Sequence, residues 1–174
     1  LNRYNRKEFL HMFWRNTATS GEGVFPPYFS LMPGADELCR SCPGDCAVAC
    51  PENIIIKENK GKPFLKVDIG GCTFCEACAE KCGYGVLVKG APAEIQGRII
   101  LDQQRCLSWN GTICQNCLDA CEDRAIVFDV LFNPVVSKDR CTNCGFCVRP
   151  CPVDALALVP IQRLAKKSAV GTEK

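Results

Sequence analysis

The chain has 174 residues, a formal charge of +2, and 16 cysteines against a single histidine. So small a charge, with no basic stripe running alongside aromatics, argues against a nucleic-acid-binding surface, and no apolar run reaches membrane-spanning length. With one histidine, no glycine-rich phosphate loop and no Ser/His/Asp set, the chain does not read as an enzyme in its own right.

Residues 1–38 contain no cysteine and read as an irregular N-terminal extension. Asn5-Arg6-Lys7-Glu8-Phe9-Leu10 has the outline of a twin-arginine export signal, but the apolar stretch such a signal needs is broken at Arg15. Residues 7–15 fit one amphipathic helix, with Phe9, Leu10, Phe13 and Trp14 grouped by i, i+4 spacing. That face either packs on the rest of the protein or docks a partner, framed in the second case by Arg3, Arg6, Lys7 and Arg15. His11 is read as a surface residue without a role.

The cysteines then fall into four sets that use all of them. The first is Cys39, Cys42, Cys46 and Cys50, with Pro43 inside the loop and Pro51 after it. The second is Cys72, Cys75, Cys78 and Cys82. The third, Cys106, Cys114, Cys117 and Cys121, has its first gap widened to seven residues. The fourth is Cys141, Cys144, Cys147 and Cys151, followed by Pro152. First cysteines recur 33, 34 and 35 residues apart, so the chain is a fourfold repeat. A short aliphatic run follows each set: Ile54–Ile56, Val86–Val88, Ala125–Phe128 and Ala155–Leu158. Phe64–Val67, Ile99–Leu101 and Val135–Val136 precede the last three sets as strand-like runs. Gly61, Pro63, Gly90, Pro92, Gly97 and Pro134 read as turns. An α+β fold of short β-hairpins and short helices is expected, with little hydrocarbon to form a core.

What needs so many thiols so close together? A disulfide framework belongs to secreted chains, and no signal peptide is recognised here. Zinc would require four tight all-cysteine loops, whereas structural zinc sites join two separated pairs. The spacing of the second and fourth sets is that of the bacterial ferredoxin loop, where three thiolates hold one [4Fe–4S] cube and the fourth cysteine reaches the neighbouring cube. The repeat register extends this reading to the first and third sets, giving four [4Fe–4S] clusters with all sixteen cysteines as ligands. Four oxidised cubes with their thiolates bring about −8, so the assembled protein would be acidic at about −6.

The gaps between sets are 21, 23 and 19 residues, which favours pairing the first set with the second and the third with the fourth. Tandem units would span 39–96 and 97–160, each a two-cluster ferredoxin-like module, with a tail at 161–174. In them Cys82 joins Cys39, Cys42 and Cys46, while Cys50 joins Cys72, Cys75 and Cys78. Cys151 joins Cys106, Cys114 and Cys117, and Cys121 joins Cys141, Cys144 and Cys147. A nested pairing, first set with fourth and second with third, stays open. Oxygen-labile clusters and reduced thiols suit the cytoplasm.

The irregular third set, ending Cys121-Glu122, the stretch Cys72-Thr-Phe-Cys-Glu-Ala-Cys78, the Arg6-Lys7-Glu8-Phe9-Leu10 head and Pro26-Pro27-Tyr28 resemble the NapF ferredoxin-type family of periplasmic nitrate reductase systems. Similarity extends to the exported MauM and NapG ferredoxin-type relatives. The first set is one residue longer than the family's, Tyr28 stands where tryptophan is common, and Gly83 replaces a proline. The resemblance implies a cytoplasmic iron–sulfur accessory protein. Its partner would be a molybdenum-containing nitrate reductase catalytic subunit, served before export by electron supply or maturation. The rival readings are a permanent electron-wire subunit of a larger dehydrogenase or quinol-oxidising complex, and a scaffold without electron flow.

Overall fold

The computed structural model describes residues 23–30, 32–58 and 61–161. The amphipathic segment 7–15 and the tail beyond residue 161 lie outside them. In chain order the elements are α1 (Ala35–Ser41), α2 (Asp45–Val48), β1 (Ile55–Lys57), β2 (Pro63–Leu65) and α3 (Ala77–Glu80). There follow β3 (Gly97–Leu101), a 3-10 turn (Ser108–Asn110), α4 (Asn116–Asp119), β4 (Ile126–Phe128), β5 (Pro134–Val136) and β6 (Leu156–Pro160). This is a small α+β fold of short strands and short helices, as the sequence led one to expect.

Three antiparallel pairs organise it. β1 pairs with β2 between the first and second cysteine sets, with Ile55 opposite Leu65. β4 pairs with β5 between the third and fourth, with Ile126 opposite Val136. β3, ahead of the third set, pairs with β6, which follows the fourth, with Ile99 opposite Leu158. In the turn from β4 to β5, Asp129 Oδ1 accepts from the Leu131 and Asn133 amides at 2.8 and 2.9 Å. Two details differ from the expected pattern. Pro63, Gly97 and Pro134 open strands instead of making turns; proline is tolerated as the first residue of an edge strand, where its missing N–H faces no partner. Val86–Val88 forms no strand, only an isolated bridge from Leu87 to Phe29.

The core gathers the aliphatic runs around the thiols. Ile54, Ile55, Leu65, Ile99, Ile126 and Leu156 are buried in one cluster with Cys46, Cys78, Cys117 and Cys147. Each such aliphatic side chain contributes about 1.5–3 kcal/mol when fully removed from water. The described end of the N-terminal extension is part of this core. Val24 and Tyr28 are buried in it, the Leu65 amide donates to the Val24 carbonyl, and Ser30 and Val88 bond back and forth with Val86 and Tyr28.

Candidate metal centres

One local structure is repeated four times around the cysteines. The third cysteine of each set sits on a short helix or turn and is buried: Cys46, Cys78, Cys117 and Cys147. The fourth closes that turn, its amide donating to the carbonyl three residues back, from Ala47, Ala79, Leu118 and Val148. Three residues later the chain turns left-handed, at Asn53 (φ 55°), Gly85 (φ 68°), Arg124 (φ 50°) and Asp154 (φ 47°). Such a conformation strains a residue with a side chain. In three of the four sets an amide one or two residues further on reaches back to the sulfur just passed. Leu87 N–H donates to Cys82 Sγ at 3.2 Å, Ala125 N–H to Cys121 Sγ at 3.2 Å, and Ala155 N–H to Cys151 Sγ at 3.1 Å. Gly44 and Phe74 amides serve Cys42 and Cys72 at 3.3 and 3.4 Å. Amides aimed at sulfur stabilise the thiolate and tune whatever it binds.

The widened third loop is closed by its own side chains. The Asn110 side-chain amide donates to the carbonyls of Gln103, Gln104 and Cys106. Ser108 Oγ donates to the Cys114 carbonyl at 2.9 Å, and Trp109 Nε1 ties the loop to Pro134 at 3.2 Å. Cys114 is thereby returned beside Cys106 and Cys117.

The thiols collect into four groups, each drawing on two sets. Cys50 lines one cavity with Cys72, Cys75 and Cys78. A second cavity is lined by Cys121, Cys141, Cys144 and Cys147. Cys82 is an electrostatic neighbour of Cys39 and Cys46 alongside Cys42. Cys151 neighbours Cys117 alongside Cys106 and Cys114. In every group three cysteines of one set are met by the fourth cysteine of the adjacent set. All sixteen are free thiols.

The electrostatics define what these groups would accept. Burial, first, and neighbouring thiolates, second, push Cys46 up to about 11. Cys78 and Cys117 likewise rise to about 11, with burial the leading cause. Cys72 also reaches about 11 through burial, partly offset by the Phe74 amide. Cys147 is driven higher still by burial and then by Cys144 and Cys141. Four thiolates gathered in such a place need a positive core to hold them together. Among the described residues, no three His, Cys, Asp or Glu side chains converge closely enough to share one metal ion. Two of the groups line cavities, and this all-sulfur donor set with amides directed at it fits a [4Fe–4S] cube.

Two contributors escaped the sequence reading. Tyr28, noted only as a motif residue, lines the Cys50 cavity, and burial, followed by Glu76 and Cys72, raises its phenol. Asn143 Oδ1 accepts from the Ile99 amide at 3.1 Å and from Cys141 Sγ at 3.7 Å, joining the fourth loop to β3. The asparagine two residues after Cys141 was the available signal for a loop of this kind.

Comparison with known proteins agrees with this donor set. The family profile of the 4Fe-4S binding domain matches residues 134–157, the stretch that holds the fourth cysteine set. The chain is 33% identical over 140 residues to the ferredoxin-type protein NapF of Haemophilus influenzae, covering 78% of each chain. It is 27% identical over 156 residues to NapF of Escherichia coli K12, covering 87% of this chain and 92% of that one. The methylamine utilization ferredoxin-type protein MauM of Methylorubrum extorquens is 27% identical over 157 residues, or 75% of this chain and 71% of that one.

Proposed function

This chain belongs to the NapF family of ferredoxin-type proteins, and from that premise we propose that it carries four [4Fe–4S] clusters and serves a molybdenum-containing nitrate reductase catalytic subunit. The ligand groups are Cys39, Cys42, Cys46 with Cys82; Cys72, Cys75, Cys78 with Cys50; Cys106, Cys114, Cys117 with Cys151; and Cys141, Cys144, Cys147 with Cys121. Residues 39–96 and 97–160 are then two tandem two-cluster modules. The observation that carries this reading is the exchange of the fourth cysteine between adjacent sets in all four groups.

When bound, each cube supplies reversible one-electron chemistry at a potential set by its surroundings. The chain's own part is to hold and tune. The amides of Leu87, Ala125 and Ala155 stabilise the sulfurs of Cys82, Cys121 and Cys151. Tyr28, Ile54 and Leu65 keep water from the Cys50 group. The client is met in the cytoplasm before its export, for electron supply or for maturation. Oxygen-labile clusters held by thiolates suit a reducing compartment. The head, with Phe9, Leu10, Phe13 and Trp14, is the proposed docking segment.

Anaerobic purification with iron and acid-labile sulfide assays tests the cofactor load. About sixteen of each per chain are expected; about eight would remove two groups, and zinc in their place would overturn the cofactor. Capture of the catalytic subunit, with and without residues 1–17, tests the partner. Fixed-stoichiometry co-purification with a dehydrogenase or quinol-oxidising complex would instead favour a permanent wire subunit. Clusters that no physiological donor reduces would leave only a scaffold.

A further inference from the structure

Two loops from distant parts of the chain meet back to back. The Cys72 amide donates to the Cys144 carbonyl at 2.7 Å. Beside it, Gly71 faces Phe146 so closely that a Cβ there would fall 2.4 Å from the ring and 2.7 Å from the Phe146 nitrogen. Gly145, at φ 94°, faces Val67 in the same way, with 2.6 Å to its nearest methyl carbon. A side chain at either position would overlap packed atoms and force the loops apart.

The contact has a definite place among the thiol groups. Cys46, in the Cys39 group, is a neighbour of Cys78 in the Cys50 group. Cys72, in that Cys50 group, is a neighbour of Cys144 in the Cys121 group. Cys147, in the Cys121 group, is a neighbour of Cys117 in the Cys106 group. These neighbours set the groups in one series, with the Cys72–Cys144 bond at its middle.

Resting on the electron-carrying reading above, we propose that Gly71 and Gly145 are positioning residues. Having no side chain, they close the Cys72–Cys144 contact and make it the crossing that joins both halves of the chain into one electron path. The group of Cys39, Cys42, Cys46 and Cys82 is one end of that path. The group of Cys106, Cys114, Cys117 and Cys151 is the other. At the crossing a single electron moves between two cubes, one oxidised by one unit as the other is reduced by one. No bond forms or breaks and no proton moves. A one-electron donor protein supplies the path at one end, and an oxidoreductase accepts at the other.

The test uses the full, cluster-loaded chain with Gly71→Ala, Gly145→Ala and a control, Gly83→Ala, where a Cβ meets nothing within 4 Å. Iron is measured first, then the electron paramagnetic resonance of the fully reduced protein. The unaltered chain and Gly83→Ala should hold about sixteen irons and give one signal coupled across four spins. Gly71→Ala and Gly145→Ala should keep the iron but weaken the coupling between halves, moving the spectrum toward two separate two-spin patterns. Full iron with four-spin coupling unchanged in both variants overturns the inference while leaving the cofactor reading intact. Fewer than four cubes in the unaltered chain is a failure of that underlying reading instead. A second measurement needs no substitution: hydrogen exchange in the loaded chain should find the Cys72 amide strongly protected, and rapid exchange there overturns the crossing.

Discussion

The Tyr28 hydroxyl donates to the carbonyl of Phe74 at 2.9 Å, across 46 residues of chain. Phe74 is itself left-handed (φ 54°) and lies in the loop between Cys72 and Cys75, so this bond pins the loop that delivers both sulfurs. Tyr28→Phe keeps the ring and removes the bond. A loss of about 1 kcal/mol is expected, read as a lower midpoint in thermal unfolding, with earlier bleaching of the Cys50 group under oxygen. An unchanged midpoint and bleaching rate would show that ring packing alone holds the loop.

The exchange of fourth cysteines makes a prediction that a set-by-set arrangement does not share. Cys50→Ser alters a residue of the first set, yet the damage should fall on the cube held by Cys72, Cys75 and Cys78. Iron should drop from about sixteen to about twelve. In Mössbauer or resonance spectra, the group of Cys39, Cys42, Cys46 and Cys82 should be untouched. Loss of the Cys39 group instead would return Cys50 to its own set.

Proton competition sets the pH dependence of cluster retention. Without a cluster, burial keeps the thiols of Cys46, Cys72, Cys78 and Cys117 protonated up to about 11. A cluster binds their thiolates and must displace those protons. Raised thiol values therefore strengthen the competition, so retention against a fixed free concentration of iron chelator should keep rising past pH 9, the ordinary value for these thiols. In the groups of Cys39, Cys50 and Cys106 it should level off only near pH 11. A plateau reached at pH 9 would mean that these thiols are not shielded as described.

Asn110 holds three carbonyls with one side-chain amide. Asn110→Ala leaves the exposed Gln103 and Gln104 carbonyls to water and should cost about 1 kcal/mol. The effect should be local. Iron should be lost first from the Cys106, Cys114, Cys117 and Cys151 group, measured as one cube missing after mild heating. Uniform loss from all four groups would argue that Asn110 supports the whole fold.

How much of this was legible beforehand depends on distance along the chain. Ligand spacing and the aliphatic runs are local, so the cysteine sets and the strands beside Ile55, Ile126 and Leu156 were readable from residue types alone. Pro63, Gly97 and Pro134 were misread as turns because breaker residues are ambiguous where a strand has a free edge. Val86–Val88 had the composition of a strand, but its partner segment around Phe29 follows Pro26 and Pro27, which have no N–H to donate, and only one bridge forms. The Tyr28–Phe74 and Cys72–Cys144 bonds were beyond reach for another reason. No periodicity encodes a contact between loops 46 or 72 residues apart; only the folded chain brings them together.

Because each thiol group takes its last member from the adjacent set, the groups also have an order in time. On the ribosome, Cys39, Cys42 and Cys46 emerge as a three-thiol site and wait for Cys82, while Cys50 is exposed without the loop it belongs to. Both vacancies are filled once residue 82 has left the exit tunnel, and the same happens again when Cys151 follows Cys141, Cys144 and Cys147. A nascent chain that has emerged to a point between Cys50 and Cys72 would display four thiols and no complete site. One that has emerged to about residue 96 would display two complete ones. The order of the cysteines along the chain thus completes the thiol groups in two pairs, the first before Cys141 has emerged.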